Sequence, residues 1–321
     1  MKTGSVAALL SLALLVVAPL RAQEPEVAAP HAATVERVDI ITPHITDGNH
    51  IELPWVLPPF FIEYALPTWK PIHIGALVLD LSPTKHVVML LFGALALTVV
   101  MLLTARAHRR ASAAGAAPTG GTNAIEAMIL YIRDEVILPN VGHHGEGFVP
   151  YLMTAFFFIL TLNLLGLVPF GSTATGNISV TATMAIMTFL TVEIAGVRAN
   201  GLGYLNTIFY WDTKQPLFMR IVLFLIISPV ELIGKFTKPF ALAIRLFANM
   251  TAGHIVVLAF VGMIFTFSAV ENPAVRVVAM GLPAIMAVAI MMLELLVAIL
   301  QAFIFTLLSA VFIGQMRASH H

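Results

Sequence analysis

Apolar residues run unbroken for spans that a soluble fold does not need. His86–Ala105 ("HVVMLLFGALALTVVMLLTA") is long enough, at about 1.5 Å per helical residue, to cross roughly 30 Å of hydrocarbon. Arg106, Arg109 and Arg110 follow at once, and positive residues favour the cytoplasmic side, so this span runs from outside to inside. Pro150–Phe170 runs outward, the uncharged loop "GSTATGN" turns the chain, and Ile178–Gly196 runs back. Leu217–Phe267 and Val277–Ile313 are overlong for single perpendicular spans, and "SAVENPAV" between them is a turn signal. Pro229 and Pro239 are natural kink points in the first of the two. The pattern predicts an all-α integral membrane protein with about five membrane helices. The last two are long, tilted and joined as an antiparallel hairpin.

The remaining segments divide the chain. Residues 1–22 carry Lys2, an apolar run and Ala22, which is the pattern of a signal peptide cut after Ala22, with an uncleaved anchor as the alternative. Residues 23–85 hold eight acidic and three basic residues, and suit an extracytoplasmic arm or small domain. Their His31, His44, His50 and His73 are too irregularly spaced for a metal site and are expected at the surface. Residues 86–321 form the membrane domain. Within it, "ASAAGAAPTGGTN" is a linker, and "AIEAMILYIRDEVILPNV" is expected as a helix on the cytoplasmic membrane surface or against a neighbour. His143 and His144 should be solvent-exposed. Glu193 lies near the inner end of its span, where a solvated carboxylate is expected. Ala199–Pro216, with Tyr204, Tyr210, Trp211, Asp212 and Lys214, suits the cytoplasmic interface.

Composition agrees with the pattern. The 321 residues are 59% hydrophobic and 11% charged, with equal numbers of acidic and basic side chains, so no polyanionic partner such as nucleic acid is implied. Without cysteine there is no disulfide, thiolate metal site or cysteine nucleophile. No nucleotide-binding or hydrolase motif occurs, and neither a metal nor a cofactor is called for.

The informative residues are polar ones inside the last two spans. Glu231, Lys238 and Arg245 recur every seven residues, nearly two helical turns, so they share a face at intervals of about 10.5 Å. Asn249 and His254 follow, and the last span carries Glu294 and Gln301. In an antiparallel hairpin the numbers of facing residues have a constant sum. His254 with Glu294 and Arg245 with Gln301 have nearly the same sum, and its midpoint falls at the end of Glu271–Pro273, on the turn signal. Interhelical hydrogen bonding could explain Asn249 or Gln301 singly. It explains an intramembrane arginine, histidine and glutamate together poorly. Histidine and carboxylate exchange protons near neutral pH, whereas arginine keeps its proton and can only set a potential. Titratable groups on either side of a fixed positive charge describe two proton half-paths divided by an electrostatic barrier.

"LxxRLFANMTAGH" around Arg245, Lys238–Pro239, "NLLGLVP" at Asn163–Pro169 and "LQAFIF" at Leu300–Phe305 resemble subunit a of the F-type ATP synthase, over roughly Ala124–Gly314. The resemblance implies a non-catalytic stator in a bacterial inner membrane, beside a rotating ring of c subunits, with the subunit b peripheral stalk and the other synthase subunits. It implies that Arg245 faces the ring carboxylates. Asn163, Asn249, His254, Glu294 and Gln301 would line the outer half-channel for H+, with Glu231 and Lys238 toward the inner one. Many bacterial members carry a carboxylate where His254 stands and a histidine where Glu294 stands. The joint exchange suggests that the two side chains touch. The competing classes are a stand-alone secondary transporter or channel, for which no paired repeat is visible, and a membrane scaffold, which leaves the charged strip unexplained.

Overall fold

The computed structural model describes residues 46–54, 61–74, 77–116, 119–142, 145–168, 173–204, 209 and 216–317. The signal segment, His31, His44, His143, His144 and most of the 205–215 connection lie outside the described residues. Among the described residues, five helices are long and apolar enough to cross a membrane. They are α1 (Lys85–Ala113), α4 (Val149–Gly166), α5 (Ile178–Asn200), α6 (Leu217–Ser268) and α7 (Pro273–Arg317). Between α1 and α4 lie α2 (Gly121–Tyr131), a π-helical turn (Ile132–Ile137) and α3 (Leu138–Val141). The chain is a multi-pass membrane protein of the all-α class.

The arm adds two antiparallel hairpins that the hydrophobic pattern did not announce, β1 (His50–Pro54) with β2 (Phe61–Ala65), and β3 (Ile72–Ile74) with β4 (Leu77–Leu79). Their strands are short. His50 and His73 are exposed, as expected. The arm is fastened to the membrane helices at Asp47, whose carboxylate lies 2.8 Å from His86 Nδ1 at the start of α1 and accepts from Asn177 Nδ2 at 3.2 Å. Asn177 is itself the N-cap of α5, its side chain accepting from the Ser179 amide. Partial burial raises the Asp47 carboxyl, but the His86 ring outweighs that effect by hydrogen bond and charge, with help from Thr84. The carboxyl therefore stays below its ordinary value and remains an anion at the junction.

Helices α6 and α7 form the expected antiparallel hairpin, and α4 and α5 pack behind it. At 52 residues, α6 is roughly 78 Å long, far more than one perpendicular crossing requires. It remains one helix through Pro229 and Pro239. Of the two placements expected for the segment after the linker, along the membrane surface or against a neighbour, the second is found: it packs against the bundle. Ile132, Val136, Ile137 and Val141 are all at most 3% exposed, and the π turn between α2 and α3 shifts the helical phase so that this row faces α4 and α7. At the same end Arg317 donates to the Val141 carbonyl at 3.1 Å.

Without a hydrophobic force between helices in lipid, association depends on close approach and on polar contacts. Gly314 shows the first. A Cβ there would collide with the Asn140 carbonyl, a backbone atom that cannot swing away. Gly262, in α6, has open space around it. Gly314→Ala is therefore expected to destabilise the folded subunit by roughly 1–3 kcal/mol. Gly262→Ala should be neutral or slightly stabilising through helix propensity. Thermal denaturation midpoints of the detergent-solubilised assembly, compared between the two variants, check this.

Candidate functional site

The hairpin register brings the intramembrane polar residues together. Asn249 Nδ2 donates to Gln301 Oε1 at 2.9 Å, and the Glu294 carboxylate lies against Gly253, where a Cβ would stand 3.0 Å from Oε1. Further along, Lys238 Nζ approaches Gln315 Oε1 at 3.5 Å and lies 5.1 Å from the Phe312 ring centroid. Two details differ from expectation. Gln301 pairs with Asn249, one turn beyond Arg245. Glu294 is buried but makes no hydrogen bond or ion pair among the described residues, so the expected contact with His254 is not formed. Gly253, the residue before His254, leaves room for the Glu294 carboxylate where a side chain would not.

Asn163 belongs to the same strip. It is fully buried on α4, donates to the Ala298 carbonyl of α7 at 3.2 Å, and accepts from Thr175 Oγ1 at 2.9 Å. Ala298 lies between Glu294 and Gln301 along α7, which ties Asn163 to both. Thr175 sits on the loop before α5, the same loop that ends in Asn177 and its bond to Asp47. Gln301 is 1% exposed, and its Nε2 has no partner among the described residues. An unpaired buried donor costs about 1–3 kcal/mol, so the strip has hydrogen-bonding capacity that the fold itself does not use.

Arg245 lies on the exposed face of α6 and makes no hydrogen bond or ion pair among the described residues. Glu231 and Lys238 are half-buried on nearly the same face. Residues 228, 235, 242 and 246 occupy the neighbouring row, roughly 60–100° round the helix from Arg245 at 3.6 residues per turn, and this row is buried in the bundle. Arg245 thus points away from the packed core of its own subunit.

Glu193, expected as a solvated carboxylate, is instead part of a packed cluster. It accepts from Tyr204 Oη at 2.6 Å and from Lys235 Nζ at 3.3 and 3.4 Å. Lys235 is 6% exposed, also bonds the Tyr204 hydroxyl, and sits 4.1 Å from that ring's centroid. Burial raises the Tyr204 hydroxyl well above its ordinary value, reinforced by Glu193 and by the charge of Glu231, so it stays protonated and donates. Lys235 was not singled out in the sequence. The available signal was its position seven residues before Leu242, a charge in an otherwise apolar row. Tyr204, expected at the interface, is buried because it fills the space over Gly196, where a Cβ would strike its ring.

These features define a polytopic helical membrane protein with a buried polar strip at a long hairpin and an exposed guanidinium that has no partner among the described residues. A family model described as ATP synthase A chain matches residues 87–314. ATP synthase subunit a 2 of Chlorobaculum tepidum is 42% identical, over 98% of this chain and 84% of its own length. ATP synthase subunit a of Chloroherpeton thalassium is 44% identical over 87% and 77%, and that of Anaeromyxobacter sp. (strain Fw109-5) is 46% identical over 75% and 56%. The chain belongs to the ATP synthase A chain family. The match begins in α1, earlier than the motifs alone indicated.

The Asn163 bonds give a direct test of the strip. Asn163→Ala would remove the acceptor of a buried Thr175 hydroxyl and the donor to Ala298, at a cost of about 1–3 kcal/mol. Thr175→Val leaves Asn163 bonded to Ala298 and should cost less. The thermal midpoint of the solubilised assembly should therefore fall further for Asn163→Ala than for Thr175→Val.

Proposed function

We propose that this chain is the non-catalytic stator subunit of a rotary ATP synthase, delivering H+ to and from a ring of c subunits through two offset half-channels. The observation that carries this reading is Arg245, a permanent cation without a partner among the described residues, on the exposed face of the hairpin at the level where the buried strip ends. Asn163, Asn249, His254, Glu294 and Gln301 line the outer half-channel, and the free donor of Gln301 faces that path. Glu231 and Lys238 lie toward the inner one. The arm and the mature N-terminus are outside and Arg317 is inside, in a bacterial inner membrane. Residues 1–22 are the signal segment, 23–85 the arm and 86–321 the membrane domain. Partners are the c-ring, the subunit b stalk and the remaining subunits of the complex.

The mechanism follows from charge. A ring carboxylate attracted to Arg245 must be ionised, and only a neutral acid can leave into lipid without a large cost. A proton arriving through the outer half-channel neutralises one ring carboxylate. The next surrenders its proton inward, and the ring advances one step. The membrane potential contributes about 2.3 kcal/mol per charge per 100 mV, so several steps can drive synthesis of one ATP elsewhere in the complex. A stand-alone transporter would have no use for an outward-facing cation that finds no partner among the described residues of its chain.

Arg245→Ala is expected to abolish ATP-driven acidification of inverted membrane vesicles, to the level of vesicles lacking the complex, while the subunit still assembles. Arg245→Lys should also be severely impaired, because a lysine at a low-dielectric site can lose its proton. Normal acidification by Arg245→Ala would overturn the reading.

A further inference from the structure

Arg245 guards the face of the hairpin that meets the ring, but a second possible leak runs behind the hairpin, along the seam between α6, α7 and α5. At the arm end this seam holds the polar strip, with Glu294 and Gln301 buried in it. At the other end lies a cavity of about 30 Å³, room for about two waters, walled by Thr188 and Glu193 of α5, Lys235 and Lys238 of α6, and Phe312 of α7. On α6 the buried residues between the two polar zones are apolar: Leu242, Ala243 and Leu246 are 1%, 5% and 0% exposed, and Leu242 also lines the cavity. On α7 Thr306 and Ser309 are buried between them, with their hydroxyls bonded to the Ala302 and Phe305 carbonyls of their own helix.

We propose that Lys235, locked to Glu193 and Tyr204, is a positioning residue that seals this seam. With the apolar layer it forms a second proton barrier that stops the outer half-channel from emptying directly inward through the subunit. The inference rests on the half-channel reading above. Its physical basis is local neutrality. Glu193 alone beside this cavity would be a half-buried, uncompensated anion that draws in water and protons. Lys235 Nζ lies within 3.4 Å of both its oxygens, and the Tyr204 hydroxyl takes a further lone pair. Three groups from α5, α6 and the turn after α5 thus close on one another and leave little capacity for a guest. The cation also stands next to the cavity, where it opposes entry of a hydronium ion.

A merely structural ion pair would affect assembly but not proton tightness, so the readout is leak. In inverted vesicles containing the whole complex, with the rotor carboxylates blocked by a carbodiimide, the passive proton leak is measured after an imposed pH step. Lys235→Met should raise it several-fold over the unmodified complex by leaving Glu193 uncompensated. Lys235→Met combined with Glu193→Leu, which makes the seam apolar, should return it to the original value. Where Lys235→Met does not assemble, Lys235→Gln carries the same expectation. Tight vesicles from the single variant at equal content of the complex would overturn the proposal, as would an equal leak from the double variant. ATP-driven acidification by the unmodified complex, before blocking, tests the half-channel reading separately.

Discussion

A permanent charge in a hydrocarbon slab is the constraint around which this structure is arranged. Insertion scales put the cost of an arginine at a helix centre at roughly 2.5–3.5 kcal/mol. Arg245 carries that charge with no partner among the described residues of its own chain. The fold turns it outward, on the exposed side of α6, and buries the neighbouring row. Three polar groups nearby are treated differently. Asn163, Gln301 and Glu294 are turned inward, the first two into hydrogen bonds and the third against Gly253.

That division depends on tight packing behind the hairpin. Lipid offers no hydrophobic incentive for helices to associate, so the bundle relies on small residues and hydrogen bonds. Along α7, Ala298 lets α4 come close enough for Asn163 to bond its carbonyl, and Gly314 lets α3 approach at Asn140. Gly253 on α6 leaves the opening that the Glu294 side chain occupies. The loop between α4 and α5 carries two linked tasks in three residues: Thr175 completes Asn163, and Asn177 caps α5 while holding the arm through Asp47. The arm is thereby connected to the level of the buried strip.

Much of this was legible in the sequence because membrane burial imposes long, simple patterns. The spans, the turn at Glu271–Pro273 and the grouping of Asn249, Glu294 and Gln301 follow from hydropathy and helical spacing alone. The exact partners were less accessible. A constant-sum register fixes facing residues only to within a turn, so Gln301 meets Asn249 instead of Arg245, and the Glu294 carboxylate lies against Gly253, the residue before His254. Glu193 was misjudged because its partners lie elsewhere in sequence, at Lys235 and Tyr204, and no local pattern joins them. The extension of α1 through Ala113, past the arginines that mark its membrane boundary, was equally hidden, since hydropathy reports the edge of the lipid and not the end of the helix.

The central claim is that two aqueous paths reach the level of Arg245 from opposite sides and do not meet. Because the chain has no cysteine, single cysteines can be placed along α6 and probed with a membrane-impermeant thiol reagent in sealed vesicles of both orientations. Asn249→Cys and His254→Cys should be modified only from the side of the arm, and Glu231→Cys and Lys238→Cys only from the opposite side. Modification of any one of these four positions equally from both sides would contradict the account.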